Sequence, residues 1–155
     1  MLRKTHAFFA AATAFFVGLT PSQIIASSFF GIVSDMDHTL GLRHRGFTHS
    51  ILFALLSFVI SSALFPNLAL PVLIGVITHI FADMLNPEGV ELFYPSKKNY
   101  RIAKFRFNSK SGNGIVITLS LALIFLKLKG YSINLSIIKN LAYTIHNYAI
   151  KIGIK

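Results

Sequence analysis

FTHSILFALLSFVISSALFPNLALPVLIGVITHIFAD, residues 47–83, carries no Asp, Glu, Lys or Arg from Phe47 to Ala82 and then ends on Asp83. A run that long and apolar has the hydropathy of lipid-embedded helices. Phe65-Pro66-Asn67 interrupts it, so it reads as a helix pair near Thr48–Phe65 and Leu68–Leu85, with Pro and Asn as stop signals. Upstream, the uncharged run Thr5–Ser34 is broken at Thr20-Pro21-Ser22 into helices near His6–Leu19 and Gln23–Ser34. Downstream, Ser111–Leu126 predicts a fifth near Gly114–Lys127. Several fall short of the roughly 20 apolar residues that span a bilayer, so they must tilt, borrow flanking residues or insert in part. From Tyr131 to Lys155, Ile133, Ile137, Leu141, Ile145, Tyr148 and Ile152 recur at helical spacing among lysines and asparagines. That pattern suits an amphipathic helix on the membrane or on the bundle.

The expected fold is therefore all-α: a multi-pass membrane bundle of about five helices plus an amphipathic C-terminal helix, one domain over residues 1–155. Composition agrees, with 54% hydrophobic and 13% charged residues. A net charge of +10 invites a nucleic-acid reading, but the basic residues follow membrane topology instead. Arg3 and Lys4 precede the first helix, and Arg43 and Arg45 lie between the second and third. Lys97, Lys98, Arg101, Lys104, Arg106 and Lys110 lie between the fourth and fifth. Connections at Pro21 and Pro66 are uncharged, so the positive-inside rule puts the N-terminus and both basic loops in the cytoplasm. Lys127, Lys129, Lys139, Lys151 and Lys155 fit this less well. Nucleic acid is disfavoured as a partner, whereas lipid headgroups suit the Lys97–Lys110 loop. Arg3-Lys4 with the apolar run after it also has the form of a secretory signal peptide, but cleavage there would discard His6. Without cysteine there is neither a disulfide nor a thiolate metal site.

All five carboxylates and five of the six histidines fall in a few short clusters. His6 begins the first helix. Asp35-Met36-Asp37-His38 closes the second, and His44 and His49 flank Gly46 before the third. His79 and Asp83 occupy the last turns of the fourth, with Glu88 and Glu91 beyond. Topology drawn from Lys and Arg alone brings all of these to one side of the membrane. His79 and Asp83 are four residues apart on one helical face and could grip one cation, although a helix-packing hydrogen bond would use the same pair. An acid this close to a membrane span is a functional candidate by default. Asp35, Asp37 and His38 offer three ligands, and acids closing a helix oppose its dipole unless something compensates. Arg43 and Arg45 suit a phosphate or other anion beside the metal, or plain positive-inside anchoring. A histidine at a helix start, such as His6, is by itself more often solvated or satisfied. His146 reads as structural, and Glu88 and Glu91 as loop acids balancing the basic stretch that follows.

Asp35-Met36-Asp37-His38, His44-Arg45-Gly46-Phe47-Thr48-His49-Ser50, His79-Ile80-Phe81-Ala82-Asp83 and Pro87-Glu88-Gly89-Val90 resemble, in that order, the YdjM-like family of inner-membrane-associated metal-dependent hydrolases, of which one member is called LexA-binding. The resemblance covers roughly Thr5 to Asn113. It implies a multi-pass helical membrane protein with a divalent metal and a hydrolase activity. More distantly, scattered His and Asp ligands with His-x-x-x-Asp are similar to the zinc-dependent phospholipase C and P1 nuclease group, which implies a phosphodiester substrate, including a lipid. His6, Asp35, His49, His79 and Asp83 carry over most directly as ligands. The chain departs from the family pattern at Ser34 in place of Pro, at Asn86 in place of Thr, in the short connection from His38 to His44, and at Val116 where a Glu is common.

Together these readings give a membrane-bound metal-dependent hydrolase with a cytoplasmic site. The expected metal ligands are His6, Asp35, Asp37, His38, His44, His49, His79 and Asp83. Zinc fits the mixed imidazole and carboxylate set best, with manganese or iron also compatible. Asp35 or Asp37 would act as general base, and Arg43 or Arg45 would steady the developing anion. The rival reading is a non-catalytic membrane regulator that docks a protein partner and holds a purely structural metal.

Overall fold

Pro66 opens a helix. In the computed structural model, which describes residues 1–38, 41, 43–106 and 108–154 with the side chain of His38 excepted, it is the first residue of α4 (Pro66–Met84), and Pro21 likewise opens α2 (Pro21–Val33). Both prolines were expected to stop helices. The runs do break at both, one helix ending at Leu64 just before Phe65-Pro66, and each proline also starts the next helix, because the first turn leaves N–H groups unpaired anyway and the fixed φ of proline already fits a helix. Thr20 and Gln23 complete the start of α2 with a reciprocal capping box.

Among the described residues the architecture is all-helical, with α1 (Arg3–Phe16), α2, α3 (Ile51–Leu64), α4, α5 (Lys110–Leu128) and α6 (Ser136–Lys151). Two 3-10 turns, Ser34–His38 and Phe47–His49, bracket the connection from α2 to α3. Extended pairing among the described residues is limited to a single bridge between Val90 and Tyr100. Two helices among the described residues, α4 and α5, are long and apolar enough to cross a membrane at 19 residues each. The 13 or 14 residues of α1, α2 and α3 rise only about 20 Å at 1.5 Å per residue, against about 30 Å of hydrocarbon.

α4 is the hub and packs against α1, α2, α3 and α6, as expected of a helix apolar on every side. Ala54, Val72, Val76, Ile80 and Val90 form one core cluster along it. α1 packs on α2 and α5, and the outward face of α5 presents Ile117, Leu121 and Phe125. α6 lies across the Pro66 end: Ala142 is buried with Phe58 and Ala69, and His146 Nδ1 donates to the Ala63 carbonyl over 2.7 Å. The C-terminal amphipathic segment is thus a bundle element at the end away from His79.

Two glycines set the spacing of the central layer. A Cβ on Gly75 of α4 would sit 2.7 Å from the Ser27 carbonyl oxygen and 2.8 Å from the Gly31 nitrogen, both backbone atoms of α2. A Cβ on Gly31 would sit 2.8 Å from the Ala10 Cβ on α1. Small residues of this kind let helix backbones approach where lipid supplies no hydrophobic drive for association.

Candidate metal centre

That close approach delivers the first site residue. One turn beyond Gly75, His79 Nδ1 lies 2.8 Å from the Gly31 carbonyl oxygen. A carbonyl only accepts, so Nδ1 carries the proton and Nε2 is left with a bare lone pair. His49, on the second 3-10 turn, reaches the same state by a different route. Asp37 is a carboxylate and only accepts, so the Thr48 hydroxyl donates to Asp37 Oδ2 over 3.1 Å. Thr48 Oγ1 must then accept from His49 Nδ1, 3.0 Å away, and His49 Nε2 is bare as well.

The two bare Nε2 atoms face each other at 3.0 Å, and both rings are fully buried. Two lone pairs in that position repel unless a cation, a proton or a metal ion, lies between them. Carboxylate oxygens surround the gap. Asp83 Oδ2 is 3.4 Å from His49 Nε2 and 3.8 Å from His79 Nε2, while Asp35 Oδ1 is 4.0 Å and 3.5 Å from the same atoms. Ligands at about 2.0 Å around a tetrahedral ion stand roughly 3.3 Å apart, so these separations match such a shell. Asp35, His49, His79 and Asp83 offer ligand atoms all within 4.8 Å of one another. The donor set and its spacing therefore fit a divalent ion.

Asp37, with His44 and His49, forms a neighbouring group that could also hold an ion. His44 Nδ1 is 3.0 Å from Asp37 Oδ1, and the Arg45 backbone N–H donates to Asp37 Oδ2 over 3.2 Å. Burial pushes the Asp37 carboxyl up, but the His44 hydrogen bond, the nearby imidazoles and the Thr48 hydroxyl outweigh it and hold Asp37 below the ordinary carboxylate range. Its oxygens are turned to orient His49, the usual arrangement behind a metal-binding imidazole.

His6 stands beside the group. Its ring stacks on His79 at 4.0 Å between centroids, and Nε2 is 3.3 Å from Asp83 Oδ1, yet neither ring nitrogen makes a hydrogen bond. The Met1 ammonium, also buried, donates to that same oxygen over 2.8 Å. Nothing in the sequence pattern pointed to Met1. Asn113 braces this corner, its Oδ1 accepting from the Leu2 N–H and from Thr5 Oγ1.

The arginines separate. Arg43 is 65% exposed and makes a charge contact, off hydrogen-bond geometry, with Glu91 Oε1 at 2.9 Å, so it does not reach the group. Arg45 does. Its backbone sits at φ 64, rare for a residue with a Cβ, and this turns the side chain inward until Nε is 3.7 Å from Asp83 Oδ2. Arg45 NH1 donates to Glu88 Oε2 over 2.7 Å. Glu88 and Glu91 therefore answer the two arginines upstream of α3, not the basic stretch that follows them. Val116 is fully buried against Met1, Phe9, Ala82 and Leu85 and supplies no ligand atom. The side chain of His38 lies outside the described residues.

A family model described as YdjM inner membrane protein matches residues 1–151. The Bacillus subtilis (strain 168) protein YvsG is 31% identical over 110 residues, covering 59% of this chain and 69% of that protein. Inner membrane protein YdjM of Escherichia coli (strain K12) is 36% identical over 107 residues, 54% of this chain and 53% of the relative, and its Shigella flexneri namesake gives the same figures. The chain thus spans about half the length of these YdjM relatives. No solved structure matches it.

Proposed function

The chain belongs to the YdjM inner membrane protein family, and on that premise we propose that it is a multi-pass, membrane-bound, metal-dependent hydrolase of phosphodiesters or phospholipids with its His/Asp centre at the cytoplasmic face. One observation carries the reading: the Nε2 atoms of His49 and His79, each ring engaged through its Nδ1, oppose each other at 3.0 Å within reach of two carboxylates. Support for the orientation comes from Arg3, Lys4, Arg43, Arg45 and the basic residues from Lys97 to Lys110, which flank the helix ends that carry the group.

His49, His79 and Asp83 hold the ion, and zinc suits the mixed nitrogen and oxygen set, with manganese or iron as alternatives. When bound, the ion supplies Lewis acidity for hydrolysis. The chain's own residues do the rest. Asp35 is the one member of the set with appreciable exposure, 16% for its side chain, so it stands at the mouth. Its Oδ1 faces the histidines, leaving Oδ2 to accept a proton as general base. Arg45 steadies negative charge that develops on the substrate, and Asp37 keeps His49 in the binding tautomer.

A second reading follows from the same four side chains, which already suffice to close a tetrahedron. In that case the ion is structural, and the protein is a membrane regulator. Elemental analysis of the detergent-purified full chain, beside His79→Ala and Asp83→Ala, tests both readings when paired with hydrolysis of a phosphodiester chromogen and short-chain phospholipids. Metal in the wild type, its loss in both variants and a matching loss of hydrolysis support the enzyme. Equal metal content in all three proteins overturns the centre, and bound metal without any hydrolysis selects the regulator.

A further inference from the structure

Beside the metal centre a cavity of about 450 Å³ is lined by Arg45, Asn86, Pro87, Glu88, Arg106 and Asn108. The end of α4 builds it. Carbonyls left unpaired there are met by the segment that follows, with Ile102 N–H donating to the Met84 oxygen over 2.7 Å and Phe105 N–H to the Leu85 oxygen over 2.9 Å. Docking that segment on the helix end brings Arg106 and Asn108 to the cavity, opposite Arg45 and Asn86.

The lining is rich in donors without acceptors. Arg45 Nε is buried and has no hydrogen-bond partner. Among the described residues, Arg106 forms no ion pair, and the side-chain amides of Asn86 and Asn108 make no hydrogen bond. Arg45 stands between two carboxylates, the 76% exposed Glu88 on its terminal nitrogen and Asp83 3.7 Å from its Nε, whereas Arg106 has no carboxylate partner among the described residues. We propose that this cavity is an anion subsite that takes the phosphate oxyanion of the substrate, with Arg106 and Arg45 as its two charged arms, Asn86 and Asn108 as neutral donors, and Glu88 as an internal occupant that the anion displaces. Planar guanidinium groups match phosphate oxygens in pairs. The volume is ample for a phosphate group. This inference rests on the metal-centre reading for what lies next to the subsite, because Arg45 faces Asp83 with Nε and the cavity with its terminal nitrogens.

The test uses the full chain as purified in phosphate-free nonionic detergent, with metal content measured on every sample and binding followed by calorimetry. One arm titrates inorganic phosphate; the other titrates dihexanoyl phosphatidate. Saturable binding in either arm is expected, the first alone marking a free phosphate and the second alone a lipid headgroup. Because Arg106 is exposed, Arg106→Gln leaves folding and metal content intact, and it should weaken binding about tenfold or more, as for loss of one charge-assisted contact. Glu88→Gln should tighten it several-fold. Binding unchanged in Arg106→Gln and in an Arg106→Gln/Asn108→Ala double variant would overturn the subsite even with metal present. Wild-type protein without metal that still binds phosphate through Arg106 would instead remove the centre and keep the subsite.

Discussion

Replacing Gly75 with Ala tests the link between helix packing and the metal centre. The added Cβ would lie 2.7 Å from the Phe30 Cβ and the Ser27 carbonyl oxygen, and 2.8 Å from the Gly31 nitrogen. Backbone atoms cannot swing aside, so α2 and α4 must part by about 0.7 Å to restore ordinary contact near 3.4 Å. If that displacement falls on the His79 Nδ1 to Gly31 contact, it lengthens from 2.8 Å to about 3.5 Å, past the range of a hydrogen bond. Overpacking of this kind costs about 1–3 kcal/mol. Loss of the bond that fixes a metal-binding imidazole weakens ion affinity about 10- to 100-fold. Competition against a fluorescent chelator reads the second effect, and a melt in detergent reads the first. Gly114→Ala is the control, because a Cβ there meets nothing within 4 Å. It should match wild type in affinity and melt no lower, since Ala favours a helix by about 1 kcal/mol over Gly. Wild-type ion affinity in Gly75→Ala would refute the coupling, and an unchanged melt would refute the close approach itself.

Other perturbations separate the parts of the site. Asp37→Asn removes the carboxylate that sets the His49 tautomer, so ion affinity should fall about 10- to 100-fold, measured by the same chelator competition. The Asp37 carboxyl lies below its ordinary value when folded. Its contribution to stability is therefore present above roughly 3.9, the unfolded value, and is lost as pH falls through the lower folded one. Acid melts of wild type and Asp37→Asn should differ above about pH 4 and converge below it, and curves that stay parallel would contradict the assignment. Phe58→Ala, at the junction of α3, α4 and α6, should cost about 3–5 kcal/mol in a stability measurement and leave metal stoichiometry unchanged.

Much of this was readable from residue types. The uncharged runs located the helices because burial and lipid impose the same composition, and the Lys and Arg positions predicted that His49, His79 and the Asp residues would meet. Helix starts were harder, since a proline halts the chain before it as readily as it opens the chain after it, and only the capping partners decide. Arg43 and Arg45 look equivalent in sequence. A left-handed backbone at Arg45 sends one inward and leaves the other on Glu91. The Met1 ammonium on Asp83 had no pattern to announce it. Gly31 and Gly75 went unread in the sequence, although lone glycines in apolar helices are the usual mark of a close helix approach, here the one beside the His79 contact.

The four side chains facing the gap come from separate stretches: Asp35 follows α2, His49 precedes α3, and His79 and Asp83 share α4. An ion held by His49, His79 and Asp83 would tie the start of α3 to α4 at one end of the bundle, opposite the end that α6 straps, with the Asp35 carboxylate drawing the end of α2 to the same charge. Chelation should then act as a denaturant, and newly inserted chains would stay loosely assembled in the bilayer until cellular metal supply completes them.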